Sequence, residues 1–449
     1  MSISNSILKL VGIEDKNIKI NDISHQTING VQCHIIEAKL SYDVERCENC
    51  GFPDVIKNGT RQTRIRLSSF NGDRYILKLA KQRYRCYHCN STFGAKTDIV
   101  EFNHSLSKRF DEDILAQACS SLTATQIAKM YGCSASSVIR IINRHCHPKY
   151  REPVLPKHLC FDEFRSTGRL MSFICCDSDT HKIIVKLPNR LTKTITDYFV
   201  NRYPLSERQQ VETVVADLNA QYIYFIKHIF PNAQVIIDRF HIVQLTARAL
   251  DKCRTTLISH INKHSREYKL LKSHWKLFHK YEKEIIDDKP VFLNGINEYM
   301  TQRNALDLIF DFSPKFKQVY QVYQGILEAT REKDGSILHD VIYNYHPTRS
   351  AMDTAVSTLK RNIHYVKNAC YFSYSNGPIE GINRKIKELK RHCYGFRNLN
   401  NFFNRIDCIF LLNQKEAPTA SLQLLLLLQV LPHYDLTTSQ NKKDMDIHP

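Results

Sequence analysis

The 449-residue sequence has no apolar run long enough to cross a bilayer. Its most hydrophobic stretch, LQLLLLLQVL at 422–431, falls well short of the ~20 residues a spanning helix needs. It is expected to form a packed carboxyl-terminal helix. The opening MSISNSILKLVGIEDKNIKI sets acids and lysines where a secretion signal carries its apolar core, so no export leader is read there. Acidic residues are in deficit, 45 Asp and Glu against 63 Lys and Arg, for a formal charge of +18. That surplus of cations fits a polyanionic partner, nucleic acid first, or else a generally basic solvated surface. No internal repeat or long low-complexity linker interrupts the chain. With 43% hydrophobic and 24% charged residues it reads as mostly globular, long enough for two to four domains. The 15 cysteines are odd in number and mostly scattered, which argues against a disulfide framework. Reduced thiols are expected, with clustered pairs reserved for metal, in a soluble intracellular protein.

Residues 1–100 combine β-like runs such as VQCHIIEAKL with two Cys pairs around a strand-rich middle, TRIRLSSF and RYILKLAKQRYRC. Residues 101–150 read as short helices. Strands and helices alternate over 156–240, a charged helical tract spans 241–365, and a helical segment over 366–432 closes the chain's ordered part. The polar tail, 433–449, is expected to fray.

Cys47-Glu-Asn-Cys50 and Cys86-Tyr-His-Cys89 are two CxxC knuckles, each preceded by arginine (Arg46, Arg85). Each knuckle sets two sulfurs on one side of a tight loop, and four thiolates satisfy the tetrahedral preference of Zn²⁺. One structural zinc is therefore expected, with Gly51 bending the chain back after the first knuckle. The spacing leaves open whether such a ribbon binds DNA or only scaffolds. Cys33, Cys119, Cys133 and Cys146 lack such partners and read as core residues.

Downstream, Thr123 can cap a short helix carrying Ile127, Ala128 and Met130. Gly132 supplies a turn, and Ser134 can cap a second helix with Val138, Ile141 and Ile142 inward. This is a helix-turn-helix layout, with Ser136, Ser137, Arg140 and Arg144 outward as candidate DNA contacts. A plain helical hairpin in a domain core is the bland alternative.

From His158 the order of elements reads βββαβαβ, that of a ribonuclease-H-like domain. Asp162 falls mid-way along the first strand, Asp217 at the end of the fourth, and Asp238 at the end of the fifth. A third acid must come from a helix beside those strands, and Asn376-Gly-Pro-Ile-Glu380 supplies it after a turn signal. At about 100° per residue Ile379, Ile382, Ile386 and Leu389 form an apolar stripe, while Glu380, Arg384, Lys387 and Arg391 share another face. Three converging carboxylates suit a pair of Mg²⁺ or Mn²⁺ ions, and the cations suit DNA phosphates. Taken singly, Asp162 and Asp217 could be turn formers and Glu380 an ordinary first-turn acid. Glu163 adjoins Asp162, but strand alternation sends the two to opposite faces.

The runs Phe161-Asp-Glu-Phe, FPNAQVIIDRFHIVQ at 230–244 and SNGPIEGINRKIKELKRHCYGFRNLNNFFNRI at 375–406 resemble the transposases of the bacterial insertion-sequence family ISL-three. The likeness runs from about Val31 to Leu412. It implies an α/β catalytic core with a ribonuclease-H-like mixed sheet and a helical insertion, preceded by a zinc ribbon and a helix-turn-helix. It further implies a DDE transposase with Asp162, Asp217 and Glu380 as catalytic metal ligands. Its partners would be double-stranded DNA, as terminal repeats and target, and other copies of the chain, as a homodimer or larger assembly. Its place would be the bacterial cytoplasm, at the nucleoid. Asp238 and His241 form an Asp-x-x-His pair similar to one in related transposases and read as supporting structure, direct metal contact being the lesser alternative. A transcription regulator and a structure-selective nuclease remain competing readings, the first needing no acids, the second no terminal-repeat recognition.

Overall fold

The computed structural model describes residues 13–28, 30–69, 72–146, 154–218 and 220–412. The apolar run at 422–431 and the polar tail lie outside the described residues. The chain divides into two compact units, residues 1–146 with 404–449, and residues 147–403.

In the first unit, strands β1 (Ile18–Ile28), β2 (Val31–Leu40), β3 (Val55–Arg66) and β4 (Arg74–Cys86) form a sheet in the order β1-β2-β4-β3, with β5 (Thr92–Gly94) pairing on β4. β2 and β4 run parallel, while β3 and β4 form a long antiparallel hairpin. Alternating apolar residues close its core, with Ile36, Leu40, Leu77 and Leu79 fully buried. Three helices follow: α1 (Lys108–Ala118), α2 (Ala124–Tyr131) and α3 (Ala135–His145). Thr123 caps α2 in a reciprocal capping box with Gln126, and Ser134 caps α3 by accepting from the Ser137 amide. Gly132 ends α2 at φ +59°, a left-handed conformation that a β-carbon penalises. Val138, Ile141 and Ile142 are buried, as the layout expects.

In the second unit, β6 (His158–Arg165), β7 (Met171–Asp177), β8 (Ile183–Leu187), α4 (Thr192–Arg202), α5 (Leu205–Arg208), β9 (Thr213–Ala216), α6 (Ala220–Ile229) and β10 (Gln234–Ile237) follow the βββαβαβ order, with α5 as a short addition. Their sheet has the order β10-β9-β6-β7-β8. β6, β9 and β10 are parallel, and β6-β7-β8 are antiparallel, so the sheet is mixed. β9 and β10 are buried nearly throughout, as strands covered on both faces must be.

The helical tract contains α7 (Arg239–Ser259), α8 (Arg266–Ser273), α9 (Gln302–Phe312), α10 (Pro314–Glu332), α11 (Gly335–Tyr343), α12 (Ala351–Arg361) and α13 (Ile363–Tyr371). It also holds a small hairpin of β11 (Val291–Leu293) with β12 (Glu298–Met300), and Trp275 starts a 3₁₀ turn rather than an α-helix. Helices α14 (Gly377–His392) and α15 (Leu399–Leu412) end the described chain. The division between units falls within α15, between Phe403 and Asn404. The segment expected over 366–432 is thus split: within the first unit Cys408 is fully buried in the core of α1, α2 and α3. Arg405 donates there to the carbonyls of Ser120 and Leu122, and Asn404 to the Asn143 side chain.

Candidate active site

Parallel pairing sets the acids level with one another. Cys160 pairs with Val215, so Asp162 on β6 and Asp217 beyond β9 each lie two residues past a matched pair. Ile237 likewise pairs with Ala216, which brings Asp238 level with Asp217. Neighbours in register share a face of the sheet. Three aspartates therefore stand level, Asp162 mid-way along β6 and Asp217 and Asp238 just past the carboxyl ends of β9 and β10.

α14 completes the cluster. Pro378 sits in its first turn, and Ile379, Ile382, Ile386 and Leu389 are buried as their stripe requires. Glu380 stands in that first turn, with one ligand atom each from Asp238, His241 and Glu380 lying within 4.8 Å of one another. The His241 Nε2 is 2.8 Å from an Asp217 oxygen. Glu380 also feels the charges of Asp217 and Lys387.

Two asparagines hold the acids in place: Asn376, read from the sequence only as part of a turn signal, and Asn383, to which the sequence reading gave no role. The buried Asn383 amide donates to Asp162 Oδ2 at 2.7 Å. The buried Asn376 amide donates to Asp217 Oδ1 at 3.3 Å, and the Asn376 backbone N–H donates to Asp238 Oδ1 at 3.1 Å. Asp238 also caps α7 by accepting from the Phe240 amide. A signal for Asn383 was present: at 100° per residue it falls at the edge of the isoleucine stripe, and a polar group there needs a partner. Nothing in the sequence distinguishes the side chain of Asn376 from an ordinary turn former.

Electrostatics mark the cluster as short of positive charge. Burial, together with the neighbouring Asp217 carboxylate, raises Asp162 to about 6. Burial and the Asp238 charge also raise Glu380. The hydrogen bond to Asp217 raises His241, since it favours the imidazolium. Hard oxygen donors that resist ionisation beside one another fit divalent cations, which would relieve the repulsion. Glu163 faces away, its carboxylate taken by the Tyr222 hydroxyl and Arg190. Arg384, Lys387 and Arg391 are all exposed on α14.

In the first unit, the four cysteine sulfurs form a second cluster, with Cys47 to Cys89 at 3.7 Å and Cys50 to Cys86 at 3.6 Å. Four thiolates ~2.3 Å from one tetrahedral ion stand about 3.8 Å apart, so the geometry fits zinc. The knuckles repeat one design. Gly51 and Asn90, each just past its CxxC, take positive φ of 76° and 57°. Arg46 donates to the Gly51 carbonyl and Arg85 to the Asn90 side chain, each binding its own turn. The Ser91 hydroxyl lowers both Cys47 and Cys89, the latter to about 5.

Of the four outward positions expected on α3, Ser136 and Arg140 are exposed. Ser137 is half-buried, its hydroxyl 2.9 Å from that of Ser134. Arg144 is half-buried and pairs with the buried Asp111 of α1 at 2.9 Å. A charge so engaged is less free for DNA than Arg140.

A four-cysteine ribbon, a helix-turn-helix and an acid-bearing mixed sheet, in that order, are the parts of a transposase. Residues 43–89 match the zinc finger of the IS204/IS1001/IS1096/IS1165 transposases. Residues 95–146 match the helix-turn-helix domain of transposase family ISL3, and residues 159–406 match the ISL3 transposase domain. The chain belongs to the ISL3 transposase family. The transposase for insertion sequence element IS1001 of Bordetella parapertussis is 23% identical over 384 residues, 84% of this chain and 91% of that protein. A Lactococcus lactis subsp. lactis protein named ATP-dependent protease is 36% identical over 108 residues, 24% of this chain. The match spans only 35% of that protein's length.

Proposed function

We propose that this transposase-family chain binds the ends of an insertion sequence and catalyses metal-dependent strand cleavage and strand transfer by in-line attack on phosphodiesters. The observation that carries the reading is the level alignment of Asp162 and Asp217 on neighbouring parallel strands, with Glu380 of α14 near enough to feel the Asp217 charge, in a sheet read as ribonuclease-H-like. These three carboxylates would hold two Mg²⁺ or Mn²⁺ ions. When bound, such ions activate the attacking water or 3′-hydroxyl and stabilise the leaving oxygen.

The chain's own residues prepare that chemistry. Asn383 orients Asp162, and Asn376 and His241 orient Asp217, so each acid presents a fixed oxygen. Arg384, Lys387 and Arg391 would hold DNA phosphates along α14. In the first unit, Ser136, Ser137, Arg140 and Arg144 would meet duplex DNA, and Cys47, Cys50, Cys86 and Cys89 would hold one structural Zn²⁺. Bringing two element ends together calls for a homodimer or larger assembly, acting in the bacterial cytoplasm at the nucleoid.

One observation favours a second ligand set, the close grouping of Asp238, His241 and Glu380. Both Asp238 oxygens already accept backbone amides, which suits a structural role better.

The test is cleavage of DNA carrying the element's own ends with Mg²⁺ or Mn²⁺, comparing wild type with Asp217→Asn, Glu380→Gln and Asp238→Asn. The first two are expected to bind the ends and lose cutting by about a thousandfold, since a metal-held charge is worth several kcal/mol in the transition state. Full activity in either would sink the assignment. Wild type that binds the ends without ever cutting would favour a regulator.

A further inference from the structure

We propose that the outer face of the β3–β4 hairpin, beside the zinc knuckles, is a second DNA-binding surface that grips the phosphate backbone of duplex DNA without reading its sequence. The surface is built by strand alternation. Beyond Leu79 the buried side of β4 switches, and Gln82, Tyr84 and Cys86 are the buried residues, on the alternation opposite to Leu77 and Leu79. The alternate residues Lys81, Arg83 and Arg85 therefore share the other face, with Arg83 and Arg85 exposed and Lys81 half-buried. Arg61, exposed on the edge strand β3, stands directly across from Lys81. Four cations thus occupy one face, and the three on β4 extend over ~13 Å at two residues per step.

Like charges directly opposite each other on paired strands are destabilising, so this arrangement costs stability unless an anion lies over it. Burial, then the charge of Arg61, hold the Lys81 ammonium below its ordinary value. Three acids of the surrounding sheet and knuckles are already engaged by other lysines. Asp43 pairs with Lys57, Glu37 with Lys78, and Glu48 with Lys96. Among the described residues Arg61, Lys81 and Arg83 enter no ion pair, and Arg85 only donates to Asn90. A row of uncompensated cations, three of them guanidinium groups, suits phosphate oxygens at regular intervals. Duplex DNA is the partner because the same unit carries the helix-turn-helix.

The experiment measures binding of the full chain to a mixed-sequence DNA duplex by fluorescence anisotropy across a salt series. Wild type is compared with Arg61→Gln, Lys81→Gln, Arg83→Gln and Arg85→Gln combined. Each lost phosphate contact removes ~0.9 from the slope of log affinity against log salt, so loss of all four should lower the slope by ~3.6 and the affinity by tenfold or more. A Lys57→Gln, Lys78→Gln control, whose lysines already have acid partners, should change the slope by less than ~1. Zinc content, one ion per chain, reports that the ribbon is intact. If the combined variant loses zinc, the single substitutions Arg61→Gln and Arg83→Gln at exposed positions carry the test, each lowering the slope by ~0.9. An unchanged slope overturns the proposal, as does an equal loss in the control, which would make net charge the cause. Self-association of the variant with undiminished DNA binding also overturns it, because the cations would then only protect an edge strand.

Discussion

Cys47, Cys50, Cys86 and Cys89 meet through two short turns at the end of one hairpin, whereas Asp162, Asp217, Asp238 and Glu380 arrive from three strands and a helix as much as 218 residues apart along the chain (380 − 162). The first cluster is held by its own turns and a few contacts between them, with Arg46 and Arg85 each bonding inside its knuckle and Ser91 and Asn49 reaching across to the other. The second rests on a buried sheet, a packed helix and two buried asparagines. The difference teaches where metal sits in the energetics. Thiolate cages of this kind need the ion in order to fold, while the sheet can hold its carboxylates together without one and bears the repulsion as cost.

Removing metal should break the comparison most sharply. A zinc chelator, or Cys86→Ser, is expected to unfold the ribbon, with loss of several kcal/mol, while the acid-bearing sheet keeps its structure. Hydrogen exchange resolved by segment would see this as protection lost first over the knuckles and the ends of β3 and β4 that carry them, with β6, β9 and β10 unchanged. Equal loss over β6, β9 and β10 would mean that the two clusters do not differ in this way.

The cysteines were legible because their spacing is local, and a CxxC turn needs nothing beyond itself. The acids were legible in part. Strand ends at Asp217 and Asp238 and a helix start at Glu380 follow from periodicity and turn residues, and the structure keeps that order of elements. What could not be read was support across long separations. Asn383 reaches Asp162, and Asn376 reaches Asp217, only once α14 lies on β6. The pairing of Arg144 with Asp111 was hidden for the same reason, since an outward position on one helix can face a neighbour rather than solvent. Nor did any local pattern indicate that Asn404 to Leu412 would pack with the first unit.

Asn383→Ala sharpens the contrast at the next level of size. Loss of the amide that orients Asp162 should weaken apparent Mg²⁺ affinity by about ten- to a hundredfold, as for other outer-shell partners of metal ligands. Activity should return at high metal concentration, a rescue that a merely unfolded variant would not show. Titration of cleavage rate against Mg²⁺ is the measurement, and an unchanged half-saturation point would count against the positioning role.

The smallest effect concerns the cost itself. Asp162 titrates at about 6 in the folded chain against an ordinary 3.8. Between those values the folded state holds the proton more tightly than the unfolded state. Metal-free stability should therefore fall as pH rises from about 4 to about 6, and the whole penalty should be present at pH 7. Asp162→Asn should then stabilise the metal-free protein at pH 7 by about 1–2 kcal/mol, with the gain vanishing below pH 4. Thermal melts in chelator at both pH values check this. A variant that melts lower at pH 7 would show that Asp162 contributes to holding the site together rather than straining it.

The burial of Cys408 among α1, α2 and α3 has a consequence for the order of synthesis. A ribosome adds residue 408 only after every strand of the acid-bearing unit has been synthesised. Until then the helix-turn-helix lacks a fully buried member of its core and the Arg405 guanidinium that ties down Ser120 and Leu122. A chain released early would carry α3 on a core without its Cys408 member.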